Sequence, residues 1–180
     1  MPQPGSRGCR SAPAWLLAAA VCIALPGSGV AQGACSLLPD ERNPSEKVLR
    51  CGDGLTIRSA VGTRYRPIGQ HGDNPPTGAQ LDVGALLIEF KPTERRRDFQ
   101  ILTPYAIAAV RGTTWAVEVE NDMMSTLVVF GFVEVKRPGA AQGSLLRAGQ
   151  GADVTTGSAP IVVKRWAKPR VDALLARFGG

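Results

Sequence analysis

The sequence predicts an all-β protein, a ladder of short strands followed by one short C-terminal α-helix. Three observations carry this. Between Ile101 and Val154, Trp115, Val117 and Val119 alternate with Ala116, Glu118 and Glu120, and Leu127, Val129, Val133 and Val135 continue the pattern, followed by Leu146, Ala148 and Val154. Strand side chains point to opposite faces with period two, so one face is predicted buried and the other wet. Gly112, Gly131, Gly149 and Gly151 fall between the runs, where turns need them. At the C-terminus the period changes: Val171, Leu174, Leu175 and Phe178 stand at i, i+3, i+4 and i+7, one face of a helix.

Taken in order, the chain opens with a stretch outside the fold. Arg7 and Arg10 precede the apolar run Trp15 to Leu25, and Gly29 and Ala31 place small residues where a signal peptidase reads. This predicts a secretory signal peptide over 1–31, cleaved after Ala31. The apolar run is well short of the roughly 20 residues that span a bilayer, so no stable membrane span is expected. Of the four cysteines, Cys9 and Cys22 lie in the signal; Cys35 and Cys51 remain, an even pair in an exported chain, and are predicted to form a disulfide. Closing that loop contributes about 3 kcal/mol in the chain-entropy treatment. Two cysteines and the single His71 do not make a tetrahedral metal site, and no C-x-x-C motif points to redox work.

Residues 36–47 are polar and proline-broken and read as loop, and Val48 to Arg58 reads as strand, Asp53-Gly54 turn, strand. Ser59 to Asp82 is rich in Gly and Pro and reads as mostly irregular, with a strand around Tyr65 to Ile68. Gly84 to Phe90 is rich in apolar residues, as a strand covered on both faces would be. Asn121-Asp122 marks a turn between two strands, and Ile161 to Val163 reads as a last edge strand. Lys168 to Phe178 is the helix, with Pro169 in its first turn and Gly179 at its stop. The segments are thus a signal (1–31), a disulfide-tied N-terminal segment with a hairpin (32–80), the β domain (81–157) and an edge strand with an amphipathic helix (158–180).

Thr103-Pro104, Ala108 to Thr113, Val117 and Val119, then Val129, Gly131, Val133 to Val135 and Ala148 to Gln150 follow one another in a recognisable order and spacing. Over roughly residues 80 to 155 these pieces resemble the FecR domain, the periplasmic sensing module of bacterial iron-citrate and related regulators. Members often carry an acidic residue before the central glycine; Phe130 stands there in this chain. The resemblance implies a β-solenoid- or roll-like stack of short strands and no chemistry. Transmembrane regulators of the family add a cytoplasmic sigma-factor-binding segment and a membrane helix. A cleaved signal in their place points to a free exported module, periplasmic or extracellular.

Composition narrows function further. Of the 180 residues 44% are hydrophobic and 20% charged, which fits a globular domain rather than a disordered or membrane chain. Net charge is +6, two of which leave with Arg7 and Arg10 in the signal. Arg95 to Arg97 form a basic cluster without interleaved aromatics, so no nucleic-acid partner is expected. No G-x-S-x-G, H-E-x-x-H or phosphate-binding loop occurs, and His71 has no evident partners, so neither an enzyme nor a cofactor is expected. Two readings stay open: a sensing or binding module contacting an envelope protein or polymer, and a structural envelope scaffold that self-associates. Candidate partner contacts are Arg111, Phe130, Phe132, Leu174 and Phe178. For each the structural alternative is plain: a local ion pair or loop cap for Arg111, core packing for the phenylalanines, docking on the β domain for the helix. Intact-mass measurement of exported protein is expected to show a chain starting at Gln32; a chain still starting at Met1 refutes the signal peptide.

Overall fold

The computed structural model describes residues 35–40, 44, 47–52, 54–71, 74–93 and 98–179. The predicted signal peptide, Asp53 of the predicted turn and the Arg95 to Arg97 cluster lie outside the described residues. In chain order the strands are β1 (Cys35–Pro39), β2 (Lys47–Cys51), β3 (Leu55–Ser59), β4 (Arg64–Ile68), β5 (Gly78–Phe90), β6 (Phe99–Leu102), β7 (Ile107–Val110), β8 (Thr113–Glu120), β9 (Met123–Phe130), β10 (Phe132–Lys136), β11 (Ser144–Arg147), β12 (Gln150–Thr155) and β13 (Val163–Arg165), followed by helix α1 (Lys168–Ala176). The fold is all-β with one C-terminal helix, and its strands form one barrel-like, nearly closed sheet rather than a solenoid.

Strand β5 explains how the layers arise. Its first half pairs with β4 and, in parallel, with β6; its second half pairs with β3 and β8. One layer is therefore β1-β2-β3-β5-β8-β9-β12-β13 and the other β4-β5-β6-β7-β10-β11, with β5 common to both. The bend lies at Gly84, whose φ of 94° only glycine adopts freely. A Cβ there would stand 2.6 Å from Thr63 Cα. The Thr63 hydroxyl donates to the Ala85 carbonyl (3.1 Å) and accepts from the Ala85 N–H (3.0 Å), clasping the strand just past the bend.

The core lies between the layers and is built on Phe90, Phe99 and Trp115, with the Phe99 and Trp115 rings 6.2 Å apart edge to face. Trp115, Val117 and Val119 point into it, as do Val133 and Val135. The β8–β9 hairpin turns at Asn121 and Asp122, both at positive φ, the geometry whose twist matches paired strands. The disulfide joins Cys35 to Cys51, which are opposed across β1 and β2.

The helix covers the outer face of the first layer. Ala60, Ala85 and Ala116 make a floor of small side chains there, and Leu174 and Phe178 bury against it beside Leu127 and Trp166. Val171 and Leu175 pack at the margin, so the whole predicted stripe is engaged. An isolated helix of nine residues is marginal, and this docking supplies its stability.

Several expectations need correction. Residues 35–39, read as loop from Ser36 on, form β1, because the disulfide holds that segment against β2. The stretch from Gly78 to Asp82, read as irregular, is the first half of β5, and the boundary at 80/81 falls inside that strand. The last edge strand sits at Val163–Arg165 rather than Ile161 to Val163, and the helix ends at Ala176, although Phe178 beyond it is still buried. Glu118, expected on a wet face, is half-buried and ion-paired with Arg177 under the helix. Leu174→Asp would bury a charge in the alanine floor and is expected to reduce unfolding free energy by at least about 2 kcal/mol in denaturant titration, whereas Leu145→Asp, at an exposed position, should change it by no more than about 0.5 kcal/mol.

Candidate functional site

The site begins with an irregularity in β9. Trp115 pairs with Val128, but Thr114 pairs with Phe130, so Val129 is an extra residue in the ladder. A one-residue bulge reverses the facing of everything beyond it. Met124 and Val128 face the core and Leu127 faces the helix; without the bulge Phe130 would continue the core face. With it, Phe130 turns outward and is 69% exposed, and Val129 is exposed too. The expectation that Leu127 and Val129 share the buried face with Val133 and Val135 is therefore corrected, as is the core reading of Phe130 and Phe132.

Gly131 then carries the chain from one layer to the other. Its φ is 86°, and a Cβ would stand 2.7 Å from the Gly112 carbonyl oxygen. The buried Thr113 hydroxyl donates to the Phe132 carbonyl (2.8 Å) and accepts from the Phe132 N–H (3.4 Å). The same device thus holds this crossing and the bend of β5, and here it presents Phe132, 50% exposed, beside Phe130.

Cross-strand register supplies the remaining groups. Phe132 is opposite Arg147, whose guanidinium lies 5.2 Å from the ring centroid. Gln150 is opposite Arg165 on β13, and the Gln150 side-chain carbonyl accepts from the Arg147 N–H at 2.8 Å. Phe130, Phe132, Arg147, Gln150 and Arg165 line an open groove of about 480 Å³. A second, of about 600 Å³, lies on the other side of Phe132 and includes Arg111, Glu134 and Asp98. Arg111 is exposed and has no ion pair among the described residues, so the local pairing expected of it is not seen. Leu174 and Phe178 are buried under the helix, far from presenting a surface, and do not join the site. Arg147, Gln150 and Arg165 were not foreseen; only the strand register brings them together.

Arg165 is held in place from behind. It precedes Trp166, over whose ring Arg170 stacks at 3.5 Å, and Arg170 makes a two-pronged ion pair with Asp153 (2.5 and 2.9 Å). Ser125 donates to the same carboxylate at 2.7 Å. Burial alone would raise the Asp153 carboxyl; the hydrogen bonds from Arg170 and Ser125 and the charges of Arg170 and Lys164 outweigh it and hold the group below its usual value.

Among the described residues no group of three or more His, Cys, Asp or Glu is placed to hold a metal, and no helix is long and apolar enough to cross a membrane. His71 is exposed, its ring 3.4 Å from the Gly69 carbonyl oxygen. The arrangement offers guanidinium forks beside apolar rings, a combination suited to binding.

Comparison with known proteins identifies the family. The model of the FecR protein family matches residues 42–134, just over half of the chain. The chain belongs to the FecR family. The match begins earlier than the motif resemblance, taking in the β2–β3 hairpin, and ends within β10. No curated protein matches the chain. Two crystal structures of a Parabacteroides distasonis ATCC 8503 protein assigned as an anti-sigma factor, at 1.65 and 2.50 Å resolution, share the fold with a TM-score of 0.54 at 20% identity. Each alignment covers 80% of this chain and 61% of the other, so this chain spans well under two thirds of that protein. In this FecR domain the V-R-G-T segment is read directly: Val110 enters the core, Arg111 faces out, Gly112 turns, and Thr113 clasps Phe132.

The Asp153 clasp has a pH signature. A carboxylate whose folded pKa is depressed stabilises above its unfolded value, about 4, and loses that contribution as pH falls through the folded value. Thermal unfolding of the wild type is therefore expected to fall off below about pH 4, while Asp153→Asn starts lower at neutral pH and shows a flatter acid limb.

Proposed function

We propose that this FecR-family chain is a non-enzymatic, exported binding module of envelope signalling, located in the periplasm or outside the cell, and that the Phe130–Phe132 corner is its contact surface. The observation that carries the reading is the bulge at Val129, which turns a phenylalanine out of an otherwise well-filled core and sets it beside arginines with no carboxylate partner among the described residues. Bulges recur next to functional sites because they re-aim a side chain. Family membership supports a regulatory role, and the absence of a catalytic or metal-holding cluster among the described residues is compatible with it. The arginines and Leu145 near the corner, with Phe130 and Phe132, give the aromatic and arginine composition that marks interface centres.

A scaffold reading has one observation of its own. Among the described residues β1 pairs only with β2, and its Leu37 and Leu38 are exposed, as an edge open to a second copy would be. A photo-crosslinking residue placed at position 130 in the exporting bacterium separates the two. The binding-module reading expects an adduct with a different protein, absent when the crosslinker replaces the exposed Val61. An adduct of two copies of this chain, or no adduct from the envelope fraction, overturns it.

A further inference from the structure

The chemistry of the groove beside Phe130 says what kind of partner fits it. Three other arginines are engaged by carboxylates: Arg58 with Asp40 and Glu89, Arg170 with Asp153, Arg177 with Glu118. Arg147 and Arg165 have no carboxylate partner among the described residues, and no acidic side chain lines their groove. Two guanidiniums lining one groove would repel each other, and Arg165 is kept there by the Trp166 and Arg170 clasp that follows it. An arginine fork matches a carboxylate with two parallel hydrogen bonds. Partial desolvation beside exposed rings strengthens such a pair relative to open water.

Charge alone does not use the whole surface. Phe130 and Phe132 present most or half of their rings to solvent next to those cations, and burying one phenylalanine stabilises a complex by about 1.5 to 3 kcal/mol in area terms. A ligand that satisfies both features carries carboxylates and apolar side chains at close spacing, which a polypeptide does and a uniform polyanion does not. A volume of about 480 Å³ is that of a short-segment site rather than of a broad flat interface.

We propose that this groove docks an acidic segment of a partner protein, with its carboxylates on Arg147 and Arg165 and an apolar side chain against Phe130. This deepens the binding-module reading and rests on it. The test is fluorescence anisotropy on the purified exported chain at low ionic strength. The probes are a fluorescein-labelled peptide of Glu-Glu-Leu-Gly repeats and its Gln-for-Glu counterpart, with an oligogalacturonate as competitor. The acidic peptide is expected to bind, and the Gln counterpart at least about tenfold more weakly, a difference of about 1.4 kcal/mol. The Arg147→Glu, Arg165→Glu double variant should lose about tenfold or more, and Phe130→Ser several-fold. Both variants should melt within about 2 °C of wild type, because surface substitutions change stability little. The proposal is overturned if the wild type does not bind the acidic peptide or if the double variant binds it equally well. It is also overturned if the oligogalacturonate displaces the peptide while Phe130→Ser has no effect, the signature of a polyanion site. Peptide binding by purified protein does not depend on export. Its failure therefore leaves the envelope reading standing, and a failed in-cell crosslink with intact peptide binding removes the envelope reading alone.

Discussion

The structure depends on moving a chain between two β layers without leaving backbone groups unpaired. A strand that simply bends loses ladder hydrogen bonds, and a buried N–H or C=O without a partner is costly. Here two of the crossings are made at a glycine in the left-handed region, packed against a threonine whose hydroxyl both gives to and takes from the residue after the glycine: Gly84 with Thr63 and Ala85, Gly131 with Thr113 and Phe132. The threonine stands in for the neighbouring strand at the point where the ladder is interrupted. Because β5 passes through the first of these corners, both layers hang from one continuous strand and enclose a single core.

From that arrangement follows an asymmetry between the two outer faces. The outer face of the first layer is floored with alanine and closed by α1, which is tied down by Arg170 on Asp153 and Arg177 on Glu118. On the second layer the outward residues of β10 and β11 include Phe132, Glu134 and Leu145, with Arg111 just past the end of β7, and among the described residues no helix lies over them. The candidate site forms where the two faces meet, and β13 brings to it a residue of the same segment that anchors the helix. The helix anchor and the candidate site therefore use neighbouring parts of the chain but different side chains.

What could be read from the sequence was local. The alternation of Trp115, Val117 and Val119, the Asn121-Asp122 turn, the Cys35 and Cys51 pair and the stripe of Leu174 and Phe178 each express a period or a dipeptide with its own physical meaning, and each is found where it was expected. Strand β1 escaped because Ser36 to Pro39 carries no alternation; it is a strand because a covalent bond holds it to one. The bulge escaped because an inserted residue looks like any other valine until the partner strand is known. Arg147 and Arg165 escaped for the same reason: eighteen residues apart in the chain, they meet only through pairings of β10 with β11 and β12 with β13.

The bulge at Val129 also separates two kinds of inheritance. Up to Val128 every side chain of β9 from Met124 on answers to packing, and a change there is felt by the core or the helix. One residue later the chain is outside, and the backbone at Phe132 is held by a threonine hydroxyl that is indifferent to which side chain Phe132 carries. Substitutions at 130, 132, 147 and 165 are thus nearly silent for folding. A lineage built on this frame can vary this corner in a few steps while the core and the helix stay as they are.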